Sequence, residues 1–93
     1  MVAKRVSDVS AALQIYLENF EISNPEIIRI FGPTSAATVA KMKKEVKNEM
    51  AKRNILQYTT HGINTKVAYE IWGIDIEDLK KRRKELLRLG FVR

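Results

Sequence analysis

Gly32 and Pro33 stand side by side about a third of the way along this 93-residue chain, and no helix runs through such a pair. Proline has no N–H to donate and its ring collides with the preceding turn, while glycine readily takes the left-handed conformation that closes a helix. The segment "NPEIIRIF" before the pair therefore reads as a helix that stops after about two turns. Asn24 suits its N-cap, Pro25 its first helical position, and Ile27, Ile28 and Phe31 its inward face. Beyond the break, Thr34 and Ser35 are both competent caps for a second helix, which strong helix formers carry through about Arg53. At about 1.5 Å per residue it is about 27 Å long. Its apolar stripe is Val39, Met42, Val46 and Met50, and the opposite face holds Ala37, Lys41, Lys44, Asn48 and Lys52. Lys43 and Arg53 fall at the stripe's edges, where long side chains bury their stems and keep their charges in water.

The flanking segments read as further helices. In "SDVSAALQIYLENFE", capped by Ser7 or Asp8, the residues Val9, Ala12, Leu13, Tyr16, Leu17 and Phe20 recur at helical spacing and predict one buried face. Asn64-Thr65 reads as a cap for "TKVAYEIW", closed by Gly73, with Val67, Ala68, Ile71 and Trp72 inward. A last helix starts at Asp75, whose charge suits the N-terminal dipole, and ends at Gly90 with Ile76, Leu79, Leu86 and Leu87 as its stripe. Arg83 interrupts that stripe, so it either snorkels or pairs with an acid such as Glu70. Residues 54–63, "NILQYTTHGI", fit an extended linker better than a wing-like hairpin turning at His61-Gly62. Tyr69, Trp72 and Phe91 lie at helical spacing or beside a terminal glycine, which predicts core packing over stacking on bases. The fold class expected is all-α, a single domain of about five helices, with paired helices at about 24–53 and 64–89.

Charge is unevenly placed. The formal net charge is +6. Residues 35–53 carry six basic and two acidic side chains, and residues 76–93 carry seven and three, so each block has a net +4. Residues 1–34 and 54–75 are each −1. Clustered cations suit a polyanion partner, although a lysine-rich helix is also an ordinary solvated surface. Other classes find no support. Cysteine is absent and His61 is the sole histidine, which argues against disulfides, thiol catalysis and a clustered metal site. No nucleophile–base pair, paired pocket carboxylates or phosphate-cradling glycine loop is visible, so neither an enzyme nor a cofactor or small-molecule ligand is expected. No apolar run approaches the roughly 20 residues of a membrane span, and "MVAKRVSDVS" lacks the apolar core of a secretory signal. The expectation is a cytoplasmic protein with no membrane partner.

With these residues in place, "NPEIIRIFGPTSAATVAKMKKEV" resembles the helix-turn-helix of DNA-binding proteins from bacteria, phages and mobile elements. The resemblance covers about a quarter of the chain. It implies double-stranded DNA as partner, a role in transcription regulation or as an accessory DNA-binding protein, and a helix at 35–53 that enters the major groove N-terminus first. The residue chemistry adds roles. Ala36 and Ala37 let the backbone approach the groove floor and suit a thymine methyl, Thr38, Lys41 and Lys44 suit base edges, and Asn48 suits adenine. Thr34 and Ser35 suit a phosphate at the helix N-terminus. Lys43, Lys47 and Lys52 suit the phosphate backbone, which positions without specifying.

The bend at Gly73 has similar spacing, but Asp75, Glu77 and Asp78 at its leading end would repel phosphates; the "KKRRK" run at 80–84 could still touch a backbone or a second protein. Whether a homodimer reads a palindrome is left open. The contrasting reading is a helical module whose basic helices dock an acidic protein partner. It would expose an apolar patch where a DNA reader exposes its lysine face; single-strand or RNA binding would instead need exposed aromatics.

Overall fold

A computed structural model of the chain describes residues 6–90. Phe91, expected in the core, lies outside the described residues. Five helices and one two-stranded ribbon follow in the order α1 (Val9–Glu18), β1 (Glu21–Ile22), α2 (Asn24–Phe31), α3 (Ala36–Lys52), β2 (Ile63–Asn64), α4 (Thr65–Ile71) and α5 (Ile76–Arg88). The architecture is mostly α-helical, as expected. The segment expected as a plain linker does one thing more. Its end pairs antiparallel with β1, Glu21 opposite Asn64 and Ile22 opposite Ile63, with Ile22 and Ile63 fully buried.

Local chemistry sets each helix boundary. The Asp8 carboxylate caps α1 by accepting from the Ala11 N–H at 2.9 Å, and the Asn64 side chain caps α4 by accepting from Val67 at 3.0 Å. Asp75 caps α5, accepting from the Glu77 and Asp78 N–H groups. At α2 the expected cap shifts by one residue. Ser23 takes the cap position, the Glu26 carboxylate reaches back to the Ser23 N–H at 2.8 Å, and Asn24 becomes the first helical residue. A Ser-x-x-Glu sequence satisfies an otherwise orphaned donor that Asn24 alone would leave free. Gly32 closes α2 with φ +87°, as the Gly-Pro pair requires, and residues 32–35 make the turn into α3. The start of α1 packs at this bend: Ser7 N–H donates to the Ile30 carbonyl at 2.7 Å.

The core is one continuous cluster. α2 packs on α1, α5 packs on α1, and α3 packs on α4 and β2. Its centre is aromatic: Phe31 meets Trp72 edge-on at 5.2 Å, and Tyr16 meets Tyr69 at 5.0 Å. The buried Tyr69 hydroxyl donates to the Ala12 carbonyl, tying α4 to α1. Burial pushes the Tyr69 phenol well above the ordinary tyrosine range, and the neighbouring Tyr16 adds to the rise.

Several inward faces differ from expectation. α1 buries Ala11, Ala12, Leu13 and Ile15, whereas Leu17 and Phe20 are each 66% exposed. The helix ends at Glu18, where Asn19 returns both its N–H and its side-chain amide to the Ile15 carbonyl, so Phe20 lies past the helical register. In α2, Ile27, Ile30 and Phe31 face inward and Ile28 faces out. In α4, Tyr69 takes the buried place expected of Ile71. On α5 only Leu79 is fully buried, and Leu87 is exposed. Arg83 does not pair with Glu70. It lies half-buried beside Ser10, Leu13 and Gln14 of α1, while Glu70 accepts from Arg53 at 2.7 Å.

Candidate nucleic-acid interface

Helix α3 is held from one side. Val39, Val46 and Met50 are buried, Met42 is half-buried against the same core, and the far end is fastened twice. Arg53 was expected to snorkel; instead it pairs with Glu49 at 2.8 Å and with Glu70 of α4 at 2.7 Å. The remaining surface of the helix is open. Its period of 3.6 residues puts Ala37, Lys44 and Asn48 at the centre of the outward face. Lys41, Thr38 and Lys52 fall on one flank, and Ala36, Ala40, Lys43 and Lys47 on the other. Ala36, Ala37, Thr38, Ala40, Lys41, Lys44, Asn48 and Lys52 are all exposed, and Lys43 and Lys47 are half-buried.

The expected base-reading residues are thus brought together, with one qualification of role. The Thr38 and Ser35 hydroxyls lie 2.8 Å apart, and the Ser35 hydroxyl also accepts from the Thr38 N–H at 3.1 Å. Thr38 is therefore engaged in the cap before any ligand arrives. Of the two residues expected to hold a phosphate at the N-terminus, Ser35 is exposed and Thr34 half-buried. No acceptor among the described residues takes the N–H groups of Ala36 and Ala37, so both remain free to bond an anion.

The electrostatics of the face are one-sided. Among the described residues no ion pair involves Lys41, Lys43, Lys44, Lys47 or Lys52. Lys43, Lys44 and Lys47 line an open hollow with Ala36, Ala40 and Asn24 of α2. Lys43 Nζ donates to Asn24 Oδ1 at 3.1 Å across this hollow. Partial burial, and then the charge of Lys47, hold the Lys43 ammonium below the usual lysine range. An anion seated here would favour the charged ammonium and so offset both effects.

Asn24 is a site residue that the sequence reading placed elsewhere, as a cap. The Ser23-x-x-Glu26 spacing was the signal that would have released its side chain. A second such residue is His61. The loop that carries it reaches the flank of α3, where His61 and Lys43 share a hollow with Ser23, Asn24 and Pro25.

Comparison with protein-family models, curated proteins and solved structures finds no significant match to this chain. No described helix is long and apolar enough to cross a membrane.

Proposed function

We propose that this chain binds double-stranded DNA, with α3 entering the major groove N-terminus first. The observation that carries this reading is the set of five α3 lysines. None has an acidic partner among the described residues, and all lie on or beside one outward face with the small residues Ala36 and Ala37 at its tip. Ala37, Lys41, Lys44 and Asn48 are assigned to base edges, with Ala36 beside them at the groove floor and Thr38 contributing its methyl group. Thr34, Ser35, Lys43, Lys47 and Lys52 are assigned to phosphates. A small helix tip admits close approach to the groove floor, and lysines on both flanks reach the bordering strands. The role that fits is that of a regulator or accessory DNA-binding protein like those the sequence resembles, a binding protein and not an enzyme.

Fluorescence anisotropy with a mixed-sequence duplex tests the reading. If the three lysines assigned to phosphates meet them, the log–log salt dependence of the affinity has a slope of about −3. Binding that stays weak and flat down to low salt would overturn it.

A second reading is favoured by one observation. Leu17, Phe20, Leu56 and Tyr58 are between 66% and 70% exposed, and Phe20 packs edge-on against Tyr58 at 5.5 Å. Exposed apolar side chains of this kind suit a protein partner. Phe20→Ser should leave duplex affinity unchanged if the two surfaces do separate work, and should lower it if the aromatic pair stacks on nucleic acid.

A further inference from the structure

The loop between α3 and β2 is longer than a simple return requires, yet it is closely held. Glu21 of β1 accepts three hydrogen bonds from it: from the Tyr58 N–H at 2.7 Å, the Thr59 N–H at 3.0 Å and the Thr59 hydroxyl at 2.8 Å. Inside the loop, the Gln57 amide donates to the carbonyls of Thr59 and Thr60 at 2.6 and 2.7 Å. Gly62 makes this closeness feasible. A methyl group there would collide with Thr59 Oγ1 and come within 2.6 Å of Glu21 Oε1. The clasp has two effects: it fixes the loop tip before any ligand arrives, and it turns the Glu21 charge into the loop.

The tip so held carries three exposed polar residues, Thr59, Thr60 and His61. His61 lines the hollow beside Lys43, and no carboxylate contributes to that wall. The same Lys43 and Asn24 also line the hollow that holds Lys44 and Lys47. The two hollows therefore form one surface running from the loop tip to the outward face of α3. Lys43 spends one of its N–H groups on Asn24 and keeps two for another acceptor.

We propose that the loop tip is a second nucleic-acid contact, in which His61 and Lys43 grip one backbone phosphate on the strand bordering the groove that α3 enters. This rests on the reading of α3 as the DNA-binding helix and extends it to a segment 57–61 that lies outside that helix. Both groups donate to a phosphate oxygen, His61 through a ring N–H and Lys43 through its ammonium. The pinned loop loses little freedom on binding, and the grip fixes how far α3 is rotated about its own axis in the groove.

The test titrates the ¹⁵N-labelled full chain with a mixed-sequence duplex and compares affinities of His61→Ala, His61→Glu, Lys43→Gln and the double variant Lys43→Gln/His61→Ala. His61 is exposed and Lys43, though half-buried, is not part of the core cluster, so these changes spare the core. The expected result is that amides 58–61 shift in the same titration as amides 36–48. His61→Ala should weaken binding about threefold and His61→Glu about tenfold at about 0.1 M salt. The double variant should lose less than the product of the two single losses, because both residues hold one phosphate. Shifts confined to α3, with His61→Glu within about twofold of the parent, would overturn the loop contact and leave the α3 reading standing. Losses that multiply would separate His61 from the phosphate of Lys43 and overturn the shared grip. No shift in either segment and no binding at low salt would overturn the α3 reading, and the loop contact with it.

Discussion

Helix α3 carries five lysines and two glutamates, and α5 carries six basic residues and three acidic ones, so the two helices have the same net charge of +3. Their surfaces nevertheless differ. In α5 the acids precede the cations by three or four residues, and the pairs form: Glu77 with Lys80 at 3.4 Å, Asp78 with Arg82 at 2.7 Å, and Glu85 with Arg88 at 2.6 Å. In α3 only one acid is so answered among the described residues, and by a cation at the helix end. Glu45 has Asn48 and Glu49 at the positions where a cation would answer it, and Glu49 is taken by Arg53. An acid placed one turn before a cation is the favourable orientation on a helix. The spacing of acids, more than the number of bases, decides whether a basic helix offers its charge outward.

This contrast can be broken most severely by removing the charge. Lys41, Lys44 and Lys47 replaced together by glutamine should weaken duplex binding about a hundredfold at about 0.1 M salt, whereas the same change at Lys80, Lys81 and Lys84 should cost no more than about threefold. Equal losses in an anisotropy titration would abolish the distinction between the helices. A smaller effect separates reading from holding within α3. Lys41→Ala should lower affinity for the preferred sequence about tenfold and hardly affect other duplexes, while Lys52→Ala should weaken all of them alike, as selection from a random duplex library would show. Smaller still is the gain from freeing α5. Glu77→Gln with Asp78→Asn releases Lys80 and Arg82 and should raise non-specific affinity about threefold; no gain would mean that α5 does not face the duplex at all.

The smallest effect concerns Glu21, the acid beside the loop that flanks α3. Partial burial raises its pKa, but its hydrogen bonds from Tyr58 and Thr59 outweigh that and hold it below the usual carboxylate range. Because the folded-state pKa lies below the unfolded one, the stability it contributes is present above the unfolded pKa and is lost as pH falls through the folded value. Urea unfolding of Glu21→Gln should therefore show a shallower acid limb than the parent chain, with the two curves differing most above the unfolded carboxylate pKa.

What the sequence made legible was local. The stop at Gly32, the restart at Ser35, the cap at Asn64 and the lysine face of α3 each follow from neighbours within a few residues. What escaped it depends on contacts between distant segments or on a signature overlooked. Ser23 replaces Asn24 as cap because Glu26 answers it, and this pattern was present to be read. The Lys43–Asn24 and Arg53–Glu70 contacts span 19 and 17 residues, and no periodicity encodes them. The β1–β2 ribbon is two residues on each side, too short to leave an alternating pattern. Gly62 looked like a turn residue, yet its role is to make room for Glu21, 41 positions earlier in the chain. Leu17 and Phe20 continue the helical spacing of α1 and were misread for that reason: spacing outlasts the helix itself.

The one-sided fastening of α3 has an evolutionary consequence. Its second half is clamped by Val46, Met50 and the Arg53 pairs, whereas in its first two turns Val39 alone is fully buried. Positions 36, 37, 40, 41 and 44 can therefore drift with little penalty to folding. If α3 reads DNA as proposed, a lineage carrying this domain is free to retarget it by point mutation, because the residues that would choose a target are not those that keep the chain folded.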